Sequence, residues 1–171
     1  MRLYTDELST ASLNAGEPLT LSGILYTARD AAHKRFMALL DAGQELPFPL
    51  KGAAIYYAGP TEAPPGAVIG SCGPTTSGRM DSFAPRLYDL GLAATVGKGQ
   101  RSEEVCAAIQ RNRAVYLCAV GGAGALMASC VKECSVVAFE ELGCEAVRRL
   151  VVENMPLITA IDGHGGNLFL R

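Results

Sequence analysis

Apolar and polar residues alternate along Pro18-Leu19-Thr20-Leu21-Ser22-Gly23-Ile24-Leu25-Tyr26-Thr27, the period of two that a half-buried strand requires. The period then lengthens. Between Arg29 and Gly43 the apolar positions Ala32, Phe36 and Leu39/Leu40 recur at helical spacing, and Gly43 supplies the stop. Arg29 would fall in the first turn of that helix, where the macrodipole disfavours a cation, so its placement either reflects a loop conformation or serves a purpose other than helix stability. Residues 47–51 break the pattern. Two strands are predicted over 53–58 and 67–70, joined through the turn-rich stretch 59–66. Beyond them the spacing predicts a helix over 81–90, a strand over 93–96 and a helix capped by Ser102 with Glu103 and Glu104 in its first turn. A strand over 114–120, a glycine turn at 121–124, a helix through Met127 and a strand over 135–139 follow. The segment 156–167 adds a final strand and a polar loop.

Strands alternating with helices imply right-handed crossovers and an α/β fold with a mainly parallel central sheet flanked by helices. Ligands in such sheets bind at the carboxyl ends of the strands. That rule gathers Thr75, Thr76, Arg79, Lys98 and the 121–124 turn onto one edge. A length of 171 residues suits one domain, 1–171, with a hydrophobic core.

Composition narrows the function classes. The chain is 49% hydrophobic, yet no apolar run approaches the roughly 20 residues that span a bilayer. The first residues turn acidic and lack the apolar core of a secretory signal, which makes a cytoplasmic location the expectation and a membrane partner none. Cysteines 72, 106, 118, 130, 134 and 144 lie mostly within apolar segments and are expected to be reduced. Cys130 and Cys134 lack a second pair at metal-ligand spacing and read as buried small hydrophobes. A net charge of −2 argues against a nucleic-acid surface. Between residues 70 and 102, however, Arg79, Arg86, Lys98 and Arg101 face Asp81 and Asp89, a local 4 − 2 = +2 that suits a small anionic ligand.

The stretch Gly70-Ser71-Cys72-Gly73-Pro74-Thr75-Thr76-Ser77-Gly78-Arg79-Met80-Asp81 combines glycine freedom, two adjacent hydroxyls and a guanidinium where a strand is predicted to become a helix. Outward-pointing helix amides and a bidentate arginine make an anion site. The plainer alternative is that Thr75 or Thr76 only caps the helix. In Gly97-Lys98-Gly99 a lysine between two glycines stabilises neither helix nor strand, so a positioned ammonium competes with a solvated surface turn. His33 and His164 stay unassigned.

Five motifs in order carry a likeness: Ala28-Arg29-Asp30-Ala31-Ala32-His33-Lys34-Arg35, Tyr57-Ala58-Gly59-Pro60-Thr61, Gly73-Pro74-Thr75-Thr76-Ser77-Gly78-Arg79-Met80-Asp81, Gly97-Lys98-Gly99 and Gly121-Gly122-Ala123-Gly124-Ala125-Leu126. Together they resemble the beta subunit, or carboxyl-terminal domain, of class I fumarate hydratases and the related L-tartrate dehydratases, from about Thr20 to Asn167. The resemblance implies a swivelling β/β/α domain that closes over a 4Fe-4S cluster held by a separate alpha subunit, in a hetero-oligomer with two copies of each chain. It implies that Arg29, Arg79 and Lys98, with Thr76, hold the carboxylates of a dicarboxylate substrate, and that Thr75 stands where the base is proposed. Ser77-Gly78 and the glycine turn look more like the fumarase branch than the tartrate branch.

The chemistry agrees with that division of labour. Removing water from a 2-hydroxy dicarboxylate needs cations for the charge that develops as a carbon proton leaves, and a Lewis acid for the departing hydroxide. The chain carries the first and has no persuasive candidate for the second. Two other classes compete. Val120-Gly121-Gly122-Ala123-Gly124, trailed by Glu140, resembles a nucleotide-binding turn, although methionine stands at position 127 where a third glycine belongs. A purely structural or regulatory subunit is the other.

Overall fold

The computed structural model of the protein describes residues 1–9, 11–120 and 122–170. The alternating segment forms β2 (Pro18–Thr27) with the bounds its pattern predicts, and the helical period that follows becomes α1 (Asp30–Asp41). Gly43, at φ 67, turns the chain out of that helix. The short strand β1 (Arg2–Tyr4) lies before them, and β3 (Ala54–Tyr56), α2 (Ala84–Asp89), β4 (Ala94–Gly97), α3 (Glu103–Arg111), β5 (Val115–Cys118), α4 (Gly124–Ser129), β6 (Val131–Ala138) and β7 (Val147–Ile161) come after. Ser102 caps α3 as expected, its hydroxyl accepting from the Val105 amide at 3.3 Å.

All strands join one sheet in the order β1-β2-β3-β4-β5-β7-β6, and β2 also pairs with β7. The ring β2-β3-β4-β5-β7 therefore closes on itself like a barrel. Pairings among β1 to β5 are parallel, whereas β7 runs antiparallel to β2, β5 and β6. The α/β class holds, but the sheet is mixed and not simply parallel. The difference arises at β7, whose 15 residues are interrupted by Arg148, Arg149, Glu153 and Asn154, so its first half carries no clean alternation. Asn154 adopts a left-handed φ of 51 and its amide donates to Ser22 Oγ at 3.0 Å, beside the bulge at Leu21/Gly23 that lets the two strands bend together.

Alternation distributes side chains over two cores. Leu21, Leu25, Tyr56, Val96, Leu117, Leu150 and Val152 face the inside of the ring. Ile55, Tyr57 and Tyr116 point the other way, into a layer built from α1 (Phe36), α2 (Leu87) and α3 (Val105, Ile109). Among the described residues no helix is long and apolar enough to cross a membrane.

Two further expectations are corrected. Residues 67–70 form no strand: the amide of Ala67 bonds Pro64 O at 3.0 Å and Thr61 N bonds Ser71 O at 3.0 Å, so the segment folds back on itself as a loop. The helix predicted over 81–90 divides into a 3-10 turn, Ser77–Met80, and the short α2. A four-residue 3-10 turn lacks the aligned amides of a helix N-terminus, so the dipole part of the anion-site argument falls.

Candidate active site at the strand ends

The carboxyl ends of β2, β3 and β4 are adjacent, and about 4.8 Å separates neighbouring strands. Arg29 follows β2, Gly59 follows β3 and Lys98 follows β4. The chain from Cys72 to Ser77 wedges between the last two. Thr75 N donates to Tyr57 O at 2.6 Å, Ser77 N donates to Lys98 O at 2.9 Å, and Lys98 N donates to Ser77 Oγ at 3.1 Å. Thr76 pairs with Lys98 as a parallel bridge. This wedge needs Gly97, because a Cβ there would collide with Ser77 Oγ and meet the Tyr57 ring at 3.0 Å. Gly73 in turn lies 3.4 Å from Gly124 when given a Cβ, which brings the start of α4 to the same edge; Gly121 lies outside the described residues.

All five site residues expected from the sequence thus lie around these ends. Arg29 precedes α1 in an extended conformation and gives it no side-chain cap. Its guanidinium crosses Gly59, where a Cβ would stand 2.9 Å from Nη1, and its Nε lies 3.8 Å from Glu145. Arg79 is held by Asp30 through a hydrogen bond from Nε to Oδ1 at 3.0 Å and an ion contact between Nη2 and Oδ2 at 2.8 Å. Lys98 is half-buried, and its ammonium has no partner among the described residues. Thr75 is half-buried and Thr76 exposed; neither hydroxyl is bonded among the described residues. No side-chain bond caps the 3-10 turn at Thr76, so the capping alternative fails.

The local charge excess is smaller than composition suggests. Arg86 pairs with Asp41, Arg101 with Asp81, and Asp89 with Arg111. Of the four cations between 70 and 102, Lys98 alone lacks a carboxylate partner among the described residues.

Beneath the wedge lies a polar support that composition did not reveal. Arg101, whose side chain is fully buried, donates to Asp81 Oδ1 at 2.6 Å and to Thr95 Oγ1 at 3.0 Å, and lies over the rings of Tyr57 and Tyr116. Asp81 also accepts from Ser102 N at 2.6 Å, and Tyr116 OH donates to Ser77 Oγ or Gly99 O at 2.9 Å. These contacts clamp the Gly97–Gly99 turn between β4 and the 3-10 turn. Burial works against the Arg101 charge, but the Tyr57, Tyr88 and Asp81 oxygens outweigh it and hold the guanidinium protonated. The only sequence signal was charge spacing, which cannot tell a buried arginine from a solvated one.

His33 is fully buried against Phe36, Tyr57 and Phe83, and its Nδ1 donates to Arg29 O at 2.8 Å. Burial lowers its pKa to about 4 despite that bond. We expect His33 to stay neutral until the pH falls to about 4. Because the folded value lies below the ordinary 6.5, protonation favours the unfolded chain, and stability drains away as pH drops through 6.5 toward 4. Imidazole nitrogen shifts read across that range check it; a midpoint near 6.5 in the folded protein would refute it. His164 is exposed, and its amide donates to the turn-forming carboxylate of Asp162 at 2.9 Å.

The nucleotide-binding alternative loses its geometry. After β5 and α4 the chain enters β6, which among the described residues pairs with β7 alone and antiparallel, so β5, α4 and β6 do not form a parallel βαβ unit. Glu140 opens an exposed 3-10 turn away from any second parallel strand. Among the described residues no three His, Cys, Asp or Glu side chains gather where a metal could bind.

Comparison with known proteins decides the family. A family model described as Fumarase C-terminus matches residues 3–171. The chain belongs to the fumarase C-terminal family. Among its relatives, the anaerobic class I fumarate hydratase of Escherichia coli K12 is 40% identical over 88% of this chain, and fumarate hydratase 2 of Leishmania major 39% over 91%. The chain spans only 28% of the length of each. It matches the "Putative L(+)-tartrate dehydratase subunit beta" of Methanocaldococcus jannaschii at 40% identity over 92% of this chain and 84% of that protein. The relatives named fumarate hydratase or tartrate dehydratase are hydro-lyases.

Proposed function

We propose that this chain is the beta subunit of a hydro-lyase that reversibly hydrates fumarate to malate, active only with an alpha subunit that carries a 4Fe-4S cluster. What carries this reading is that Arg29 and Lys98 follow strands β2 and β4 of one sheet while the wedge brings Thr75 and Thr76, and the Asp30 contact brings Arg79, to the same edge. Arg79 keeps Nη1 and one Nη2 hydrogen for a carboxylate, Lys98 has an unpartnered ammonium, and Arg29 is braced at Gly59. Together they stabilise the extra negative charge that accumulates on a carboxylate when the neighbouring carbon loses its proton. Among the described residues no three His, Cys, Asp or Glu side chains gather where a metal could bind, and the proposal assigns the metal chemistry to the partner. One dicarboxylate-binding domain, 1–171, in an assembly with two copies of each subunit, completes the proposal.

Thr75 is the candidate base within this chain. An isolated alcohol is a weak base at neutral pH, so the role depends on the surrounding cations favouring its alkoxide. Co-expression with a candidate alpha subunit tests both levels. Fumarate hydration is expected from the pair and not from either chain alone; an active pair containing Thr75→Ala is expected to turn over about 100-fold more slowly or worse, and Thr75→Ser to recover much of the loss. Near-normal turnover in the alanine variant would remove Thr75 from the mechanism. L-Tartrate belongs in the same assay, because the archaeal relative of nearly equal length bears a tartrate dehydratase name.

A further inference from the structure

We propose that Asp30 is a positioning residue of the dicarboxylate site: it clamps one edge of the Arg79 guanidinium so that the opposite edge faces the substrate. The inference rests on the hydro-lyase reading above. Guanidinium groups present two bidentate edges, Nε/Nη2 and Nη1/Nη2. Asp30 takes the first with one hydrogen bond, Nε to Oδ1 at 3.0 Å, and one ion contact, Nη2 to Oδ2 at 2.8 Å, across 49 residues of sequence. The second edge has no partner among the described residues. An arginine gripped in this way cannot rotate its free edge off the site, and the cost of orienting it is met before substrate arrives.

Asp30 is also the first residue of α1, directly after Arg29. One helix end therefore sets both guanidinium groups, because Glu145 accepts from the Ala31 amide at 3.4 Å while standing 3.8 Å from Arg29 Nε. The pairs differ in tightness. Arg29 is approached by one distant oxygen, and Arg79 is held by two close ones. A plainer account makes Asp30 a helix-dipole residue, acidic in the first turn. That account assigns it stability and nothing else. Both partners of the pair are partly solvent-exposed, at 51% for Arg79 and 28% for Asp30, and such pairs add little to stability.

The two accounts separate in kinetics. In the assembled enzyme, Asp30→Asn keeps one acceptor but turns an amide donor toward Nη2, so it breaks one arm of the clamp. The expected result with fumarate as probe is a KM raised about tenfold or more, the size of one lost charge-assisted bond, with kcat falling far less. Asp30→Glu restores two acceptor oxygens and is expected to recover part of the loss. In an Arg79→Lys background Asp30→Asn should add almost nothing, because the clamp has lost its fork. Thermal midpoints of the variants within a few degrees of the parent show that folding is intact. A KM within twofold of the parent for Asp30→Asn, or an equal rise in the Arg79→Lys background, overturns the proposal while leaving the hydro-lyase reading standing. A parent assembly that turns over neither fumarate nor L-tartrate removes the hydro-lyase reading, and the clamp with it.

Discussion

Replacing Lys98 by methionine is expected to lower fumarate turnover by the assembled enzyme about 10²- to 10³-fold with almost no change in thermal stability. The backbone of Lys98 is fixed on both sides, its amide donating to Ser77 Oγ at 3.1 Å and its carbonyl accepting from Ser77 N at 2.9 Å. Its side chain is the opposite case. No carboxylate or carbonyl holds the ammonium among the described residues, and a half-buried cation without a partner is poised for a ligand's charge. Methionine preserves the length of the stem and removes the charge, so packing survives and charge stabilisation does not. The measurement is steady-state kinetics beside a thermal melt. Turnover within threefold of the parent would show that Lys98 is a solvated turn residue after all.

The largest effect on stability is expected at Arg101. Exchanging it for methionine leaves Asp81 with an uncompensated charge and Thr95 with a lost donor, in a site where the arginine side chain is wholly shielded from water. Breaking one side of a buried ion pair costs about 3–5 kcal/mol. For a domain of this size that lowers the melting temperature by roughly 10 °C. Activity should fall as well, because Asp81 also receives Ser102 N and with Arg101 holds the turn that carries Lys98. A melting temperature within about 2 °C of the parent would mean that the pair is dispensable.

The two sites illustrate different kinds of support. Lys98 would act on a ligand directly, and its turn is kept open for the wedge by a glycine that leaves room for Ser77. Arg101 touches no ligand and acts through backbone position alone. Fumarate hydratase relatives that align with this segment are more than three times its length. The free edge of Arg79 and the ammonium of Lys98, both unpartnered among the described residues, agree with the proposed site completed by another polypeptide.

Much of the local structure was legible in the residues. The alternation at 18–27, the helical spacing ending at Gly43 and the Ser102 cap each express a rule that acts within one turn or one strand, where neighbours in sequence are neighbours in space. The placement of Arg29 and Lys98 just beyond strands followed from the same local punctuation, whereas Thr75, Thr76 and Arg79 reach that edge on a loop that no strand at 67–70 precedes. What the residues could not reveal was every feature that joins distant segments. The antiparallel return of β7 along β2, the loop in place of a strand at 67–70, the clamp between Asp30 and Arg79 and the burial of Arg101 all depend on which segments meet. A side-chain pattern records which face of an element is buried. It does not record strand direction or the identity of an ion's partner, since those energies arise only when tertiary packing brings remote groups within a few ångströms and excludes the water that would otherwise screen them.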